Sequence, residues 1–219
     1  MITEVSDRKI QISYPETDGK IKGFGDFHYH QTELLYRNLE YIFRLCKDIY
    51  ISSGIMFYYE EGNPNRRFAP DLMICFGAEN KKRRTYKLWE EKIVPQFIIE
   101  VVSKETWERD VKFKRRLYGR LGVEEYFIID PEYKYLPAPM FAYRLEFGEL
   151  VRQSIGNNRV FSELLGLELV DTGLDFRFFN PETQEFLPTS EDLSQINKQV
   201  TGENELLKLE IERLKKLIK

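Results

Sequence analysis

The chain has 219 residues, 42% of them hydrophobic and 14% aromatic, with a formal net charge of −3. That is length and apolar content enough for one folded domain with a sizeable core, which excludes a disordered chain; no apolar run approaches the ~20 residues of a membrane span, which excludes a membrane-spanning helix. The overall charge does not advertise a nucleic-acid binder, yet residues 81–120 hold 13 Lys and Arg against 6 Asp and Glu, a net of +7, while the remainder holds 20 against 30, a net of −10.

Such asymmetry fits a local electropositive face on an acidic protein, and it equally fits a solvated surface with a loop, ENKKRRTYK. The opening MITEVSDRKIQISYPETDGK has no charged-then-apolar signal layout, so a cytoplasmic protein is expected. Cys46 and Cys75 match no metal-ligand spacing and sit in apolar segments, so both are expected as buried free thiols.

QTELLYRNLEYIFRLCKD (31–48) predicts an amphipathic helix, because Leu35, Leu39, Ile42 and Cys46 recur at helical spacing. His28 and His30 stand just before it. Two histidines alone are a weak zinc signal, and loop or capping roles are expected of them. Glu33 falls opposite the apolar stripe and is expected in solvent. IYISSGIMFYYEEG and PDLMICFG predict strands, the second opened by Pro70, which a first strand residue tolerates. FIIEVVS is apolar on both faces apart from Glu100, the mark of a central strand. SKETWERDVKFKRRLYGRLG predicts a helix, capped by Ser103 or Thr106 and ended at Gly122. VEEYFIID is a second buried strand, stopped by Pro131. Strand, helix, strand in that order predicts a parallel crossover and an α/β core. MFAYRLEFGELVRQSI reads as a hairpin turning at Phe147-Gly148, and short elements follow in the same domain.

From about Ser190 the character changes. Val200, Asn204, Leu207, Ile211, Leu214 and Ile218 form a heptad seam with Asn at one core position. Two parts are therefore expected: a domain over residues 1–190 and a C-terminal helix over 191–219, a candidate coiled coil holding a homodimer.

Glu100 and the helix after it raise a chemical question. At about 100° per residue, Asp110 and Lys114 fall on the apolar stripe with Trp107, Val111, Tyr118 and Leu121. Arg109, Lys112, Arg116 and Arg120 occupy the other side as a cationic strip, a candidate contact for DNA phosphates. Carrying Asp and Lys inward is costly unless they are paired or coordinate something. One turn apart, they can pair with each other, and a buried ion-pair network is the bland reading. Glu100 also needs a partner, and Lys114 or a metal ion could supply one. Asp71, opening the neighbouring strand, could converge on the same place. Buried acids clustered with one lysine recur in active sites.

The motifs APDLMI, IIEVVS and D…K…Y…LGVEEYFIIDP, spanning about residues 66–131, resemble the PD-(D/E)XK nuclease superfamily. They are most similar to its branch of bacterial restriction-endonuclease-like proteins. The residues carrying the resemblance are Pro70-Asp71, Glu100-Val101-Val102-Ser103, Asp110, Lys114, Tyr118, Gly122-Val123, Glu125-Tyr126 and Asp130-Pro131. The lysine usual two residues after the strand glutamate is replaced by Val102, and Lys114 on the helix stands in for it. Phe127 occupies a position where the branch often has Trp. The resemblance implies a restriction-endonuclease-like α/β fold, a central mixed sheet flanked by helices. It also implies a DNA endonuclease whose Asp71 and Glu100 bind Mg²⁺, or Mn²⁺, with Lys114 acting on the attacking water or the transition state. Asp110 and Tyr118 support them, Tyr118 mainly by packing. The alternative is a catalytically silent or weak relative serving as a DNA-binding or protein-interaction module.

Overall fold

The computed structural model describes residues 12–17 and 25–217; Ile218, the last seam residue, and most of the N-terminal stretch read for a leader lie outside them. Helix α1 runs Asp26–Ile42, with Asp26 in its first turn complementing the helix dipole. It starts earlier than the sequence periodicity placed it and stops earlier too. His28 and His30 therefore lie on the helix rather than in a loop, and Cys46 lies beyond its end, half-buried. Both cysteines are free, as expected.

Strands β1 (Ile49–Ser52), β2 (Phe57–Tyr58), β3 (Arg67–Phe68), β4 (Leu72–Phe76) and β5 (Tyr86–Lys87) follow, then a one-turn α2 (Leu88–Glu91) and β6 (Phe97–Val101). The crossover comes next: a π-helical turn over Arg109–Lys114 continuing into α3 (Arg115–Leu121), then β7 (Glu125–Ile129). The hairpin is β8 (Met140–Glu146) and β9 (Glu149–Arg152), turning at Phe147 and Gly148, both at positive φ as a tight twisted hairpin needs. β10 (Arg159–Ser162), β11 (Leu167–Asp171), β12 (Phe176–Asn180) and β13 (Glu185–Phe186) complete the domain before α4 (Ser190–Leu217).

The main sheet has the order β1-β4-β6-β7-β8-β9, with β6 and β7 parallel and every other neighbour antiparallel. This is the mixed central sheet and parallel crossover that the sequence predicts. Gly122 adopts the left-handed conformation at φ 91° that closes α3, and its N–H and that of Val123 donate back to the Tyr118 carbonyl.

Strand alternation divides the interior in two. Phe97, Ile99 and Val101 of β6 face one side, where they pack with Leu35 and Leu39 of α1 and with Leu169, Phe176 and Phe178 of the antiparallel sheet β10–β13. Ile98 of β6, Met73 and Cys75 of β4 and Tyr126 of β7 face the other, against Tyr118 of α3 and the small sheet β3-β2-β5. Gln31 of α1 clamps the first layer together. Its amide donates to the Phe176 carbonyl (2.7 Å) and accepts from the Phe176 N–H (2.9 Å), completing one rung beside β12. Asn38, two turns on, donates to the Pro188 carbonyl at 2.8 Å.

Helix α4 stands differently. From Ser190 to Lys215 its side chains are exposed, apart from half-buried Leu193. The seam residues Val200, Leu207, Ile211 and Leu214 face solvent and do not fold back onto the domain. No helix among the described residues is long and apolar enough to cross a membrane.

Candidate active site

Strand parity decides where each acid points. Glu100 shares the parity of Ile98, so it faces α3. Asp71, one residue before β4, shares the parity of Met73 and faces the same way. β4 and β6 run antiparallel with Leu72 opposite Ile99, which brings Asp71 beside the end of β6. The Val101 N–H donates to Asp71 Oδ2 at 2.9 Å, and the Asp71 N–H lies 3.4 Å from Glu100 Oε2.

The crossover helix supplies the rest. Its π-helical turn places the Arg115 N–H on the Asp110 carbonyl, five residues back, and Tyr126 Oη donates to the same carbonyl at 3.1 Å. Such wide turns inside helices recur at functional sites. The sequence wheel assumed a regular α-helix here, which the structure corrects. Asp110 and Lys114 nevertheless both face inward, because a spacing of four keeps them on one side of the wider turn.

Lys114 Nζ sits 2.8 Å from Glu100 Oε1 and 2.8 Å from Asp110 Oδ1, the second contact lying off the hydrogen-bond axis. Tyr118 Oη donates to the same Glu100 Oε1 at 2.6 Å. The two glutamate oxygens thus divide their work: Oε1 takes the lysine and the phenol, while Oε2 faces Asp71. Glu100 and Asp110 are each 1% exposed and Lys114 is 7% exposed. The structure brings Asp71, Glu100, Asp110, Lys114 and Tyr118 to one end of one sheet face.

The electrostatics follow from burial and crowding. Burial pushes Glu100 up to about 8; Lys114 pulls it down, and Asp71 and Asp110 push it further up. Burial would lower Lys114, but Glu100, Asp110 and Asp71 outweigh it, and the ammonium is held above its ordinary value. Burial would raise Asp71, yet His28, Lys114 and the Val101 N–H together hold it below the usual carboxylate value. Tyr118 is raised well above its usual range by burial and by Glu100, which keeps its proton on as a donor.

His28 is the residue that sequence reasoning missed. From the first turns of α1 its Nε2 lies 3.2 Å from Asp71 Oδ2, with both side chains largely buried. A signal existed: His28 stands seven residues before Leu35, on the same helical stripe, and extending the helix back by one turn would have shown it. Glu33 points outward and pairs with Arg37 (3.1 Å), as expected.

The cationic strip is not drawn into this cluster. Arg109, Lys112, Arg116 and Arg120 are all exposed on the outer side of the crossover, with Lys112 paired to Glu108 at 3.2 Å. The basic run at 81–87 is largely neutralised within the domain. Arg83 is buried in a two-pronged pair with Glu91 (2.7 and 2.8 Å) over the Tyr50 ring, Lys81 pairs with Glu79, and Arg84 with Glu16. Two acids of the nuclease-like motif are structural. Glu125 accepts from the Ser162 hydroxyl and the Glu163 N–H, tying β7 to the β10 turn. Asp130 accepts from the N–H groups of Glu132, Tyr135 and Leu136, shaping the loop after β7. Among the described residues, no three His, Cys, Asp or Glu side chains form a ready-made metal cage.

The model of the family described as "Uma2: Putative restriction endonuclease" matches residues 6–174. A crystal structure described as a putative nuclease belonging to DUF820, from Anabaena variabilis, is similar, with a TM-score of 0.49 and 13% sequence identity over 65% of this chain and 75% of that one. No curated protein matches the chain.

Proposed function

The chain belongs to the Uma2 family, described as "Putative restriction endonuclease", and from that premise we propose that it is a Mg²⁺- or Mn²⁺-dependent endonuclease hydrolysing phosphodiester bonds in DNA. The observation that carries the reading is the pairing of Asp71 with Glu100 on one sheet face beside a buried ammonium. Three carboxylates, Asp71, Glu100 and Asp110, lie around one lysine, and Glu100 is raised first by burial and then by Asp71 and Asp110, against the pull of Lys114. Oxygen donors of this kind suit Mg²⁺, which is commonly held by one or two carboxylates together with waters and substrate phosphates.

In this reading Asp71 and Glu100 would hold the ion, whose chemistry would be Lewis-acid polarisation of the scissile phosphate and lowering of the attacking water's pKa. Lys114, kept protonated by its carboxylate neighbours, stabilises charge developing on the phosphate rather than abstracting a proton. Asp110 fixes the ammonium's position. Tyr118 saturates Glu100 Oε1 and so fixes which oxygen is offered toward Asp71. His28 orients the Asp71 carboxylate. A homodimer would present two such sites, one for each strand of a duplex.

The direct test is incubation of plasmid, single-stranded and branched DNA with Mg²⁺ or Mn²⁺, wild type beside Glu100→Ala. Metal-dependent strand breaks with wild type alone support the reading. Identical behaviour of the two proteins refutes it and leaves the polar cluster as an ion-pair network.

A further inference from the structure

Helix α4 has an amphipathic surface along which none of the other described residues is laid. It spans 28 residues. Helices in water draw most of their stability from packing an apolar face, so an unpartnered one of this composition is marginal. Leu193, Val200, Leu207 and Leu214 recur every seven residues, and the last three are 48%, 61% and 48% exposed. Asn197, Asn204 and Ile211 recur on the adjoining row. In heptad terms the leucine row is d and the asparagine row is a.

We propose that α4 pairs with α4 of a second copy of this chain as a parallel, in-register, two-stranded coiled coil. The flanking charges select both the partner and its direction. The two g positions between Asn197 and Ile211 are Glu203 and Glu210, and the two e positions that follow them are Lys208 and Lys215. In a parallel pair, g faces e of the next heptad on the other helix. Glu203 therefore meets the partner's Lys208, and Glu210 meets the partner's Lys215, each pair occurring twice. In an antiparallel pair g faces g and e faces e, which sets Glu against Glu and Lys against Lys. The a row argues the same way. In the parallel arrangement Asn204 meets the partner's Asn204, where two amides satisfy each other. Antiparallel pairing would oppose them to apolar d residues and leave them unsatisfied. Asn at a, with Leu at d, favours two strands and fixes register at the expense of affinity. The interface is therefore specific and concentration-dependent. This assembly does not depend on whether the domain cuts DNA.

The test uses the full chain in sedimentation velocity over a concentration series. Wild type should shift from monomer to dimer. Leu207→Asn combined with Leu214→Asn, at exposed positions remote from the domain core, should raise the dissociation constant at least about a hundredfold, as expected when two interfacial leucines are removed from each helix. Glu203→Lys combined with Glu210→Lys should weaken association about tenfold, since four attractive pairs become repulsive. An antiparallel pair would be unmoved by that change, being like-charged before and after. Asn204→Cys in a Cys46→Ser background should oxidise to a disulfide-linked dimer, because only parallel register places residue 204 beside itself. A wild-type monomer at every concentration, a trimer, a dimer indifferent to Leu207 and Leu214, or a dimer that fails to cross-link through position 204 overturns the proposal.

Discussion

Replacing Lys114 with Met should separate the electrostatic role of this residue from its bulk, since the two side chains have similar length. At an effective dielectric constant of about 20, unit charges 2.8 Å apart attract by about 6 kcal/mol, and Lys114 makes two such pairs, with Glu100 and with Asp110. Most of that gross attraction offsets the desolvation of the buried ions, and Glu100 is fully charged only above about pH 8, so the net loss on removing Lys114 reaches about 3–5 kcal/mol in that range. For a domain of this size, that is a fall in Tm of about 6–20 °C. The pH dependence sharpens the expectation. Glu100 has its folded pKa raised from 4.5 to about 8, so the native state binds its proton more tightly than the unfolded state, and stability falls as pH rises through that window. Without Lys114 the downward pull on Glu100 disappears and its pKa climbs further. The gap between wild type and Lys114→Met should therefore stay level while both proteins keep Glu100 protonated and widen as pH rises through and above about 8. Urea unfolding of both proteins in chelator, followed by circular dichroism, measures it. A gap below about 1 kcal/mol, or one that narrows toward alkaline pH, would show that Lys114 does not compensate the buried carboxylates.

Glu100→Gln and Asp71→Asn should each lower metal-dependent plasmid nicking about 10²–10³-fold while the near-UV spectrum keeps its native form. His28→Ala should weaken Mn²⁺ binding about 10–100-fold by calorimetry, because Asp71 loses the neighbour that most strongly holds it ionised and in place; unchanged affinity would reduce His28 to packing. Exchanging Arg109, Lys112, Arg116 and Arg120 for Gln should flatten the salt dependence of DNA binding by about 0.9 in log–log slope for each phosphate no longer neutralised. Arg83→Ala should leave that slope alone and cost about 3 kcal/mol of stability, since its guanidinium is committed to Glu91.

What the sequence made legible depended on contrast. Glu100 was visible because one charge interrupts an otherwise apolar run, and the crossover was visible because Gly122 punctuates a helix between two buried strands. The inward turn of Asp110 and Lys114 followed from spacing alone. The π-helical turn did not, because apolar periodicity records which side a residue faces and not how many residues complete the turn. His28 was lost to a helix start placed too late, at Gln31, where the leucine pattern begins. Arg83 shows the limit of counting charge: a basic run looks like a surface until Glu91, eight residues on, is seen to bury one member of it. The sheet β10–β13 was read only as short elements, since strands of two to five residues carry too little alternation to be paired from sequence.

The rung that Gln31 completes beside Phe176 has a consequence for interpreting variants. One turn before Gln31 on the same helix stands His28, and Asp71 leans on His28. Residues 176–188 lie past the family-matched span, yet they anchor the helix that steadies the site. A lesion there, outside the Asp71, Glu100 and Asp110 cluster, would therefore imitate an active-site mutation in a cleavage screen. Its signature would be a loss of activity that tracks loss of stability and is recovered at lower temperature. A true change at Glu100 would be inactive at any temperature. Sorting a mutant collection by that criterion would separate the residues that perform chemistry from those that hold the helix still.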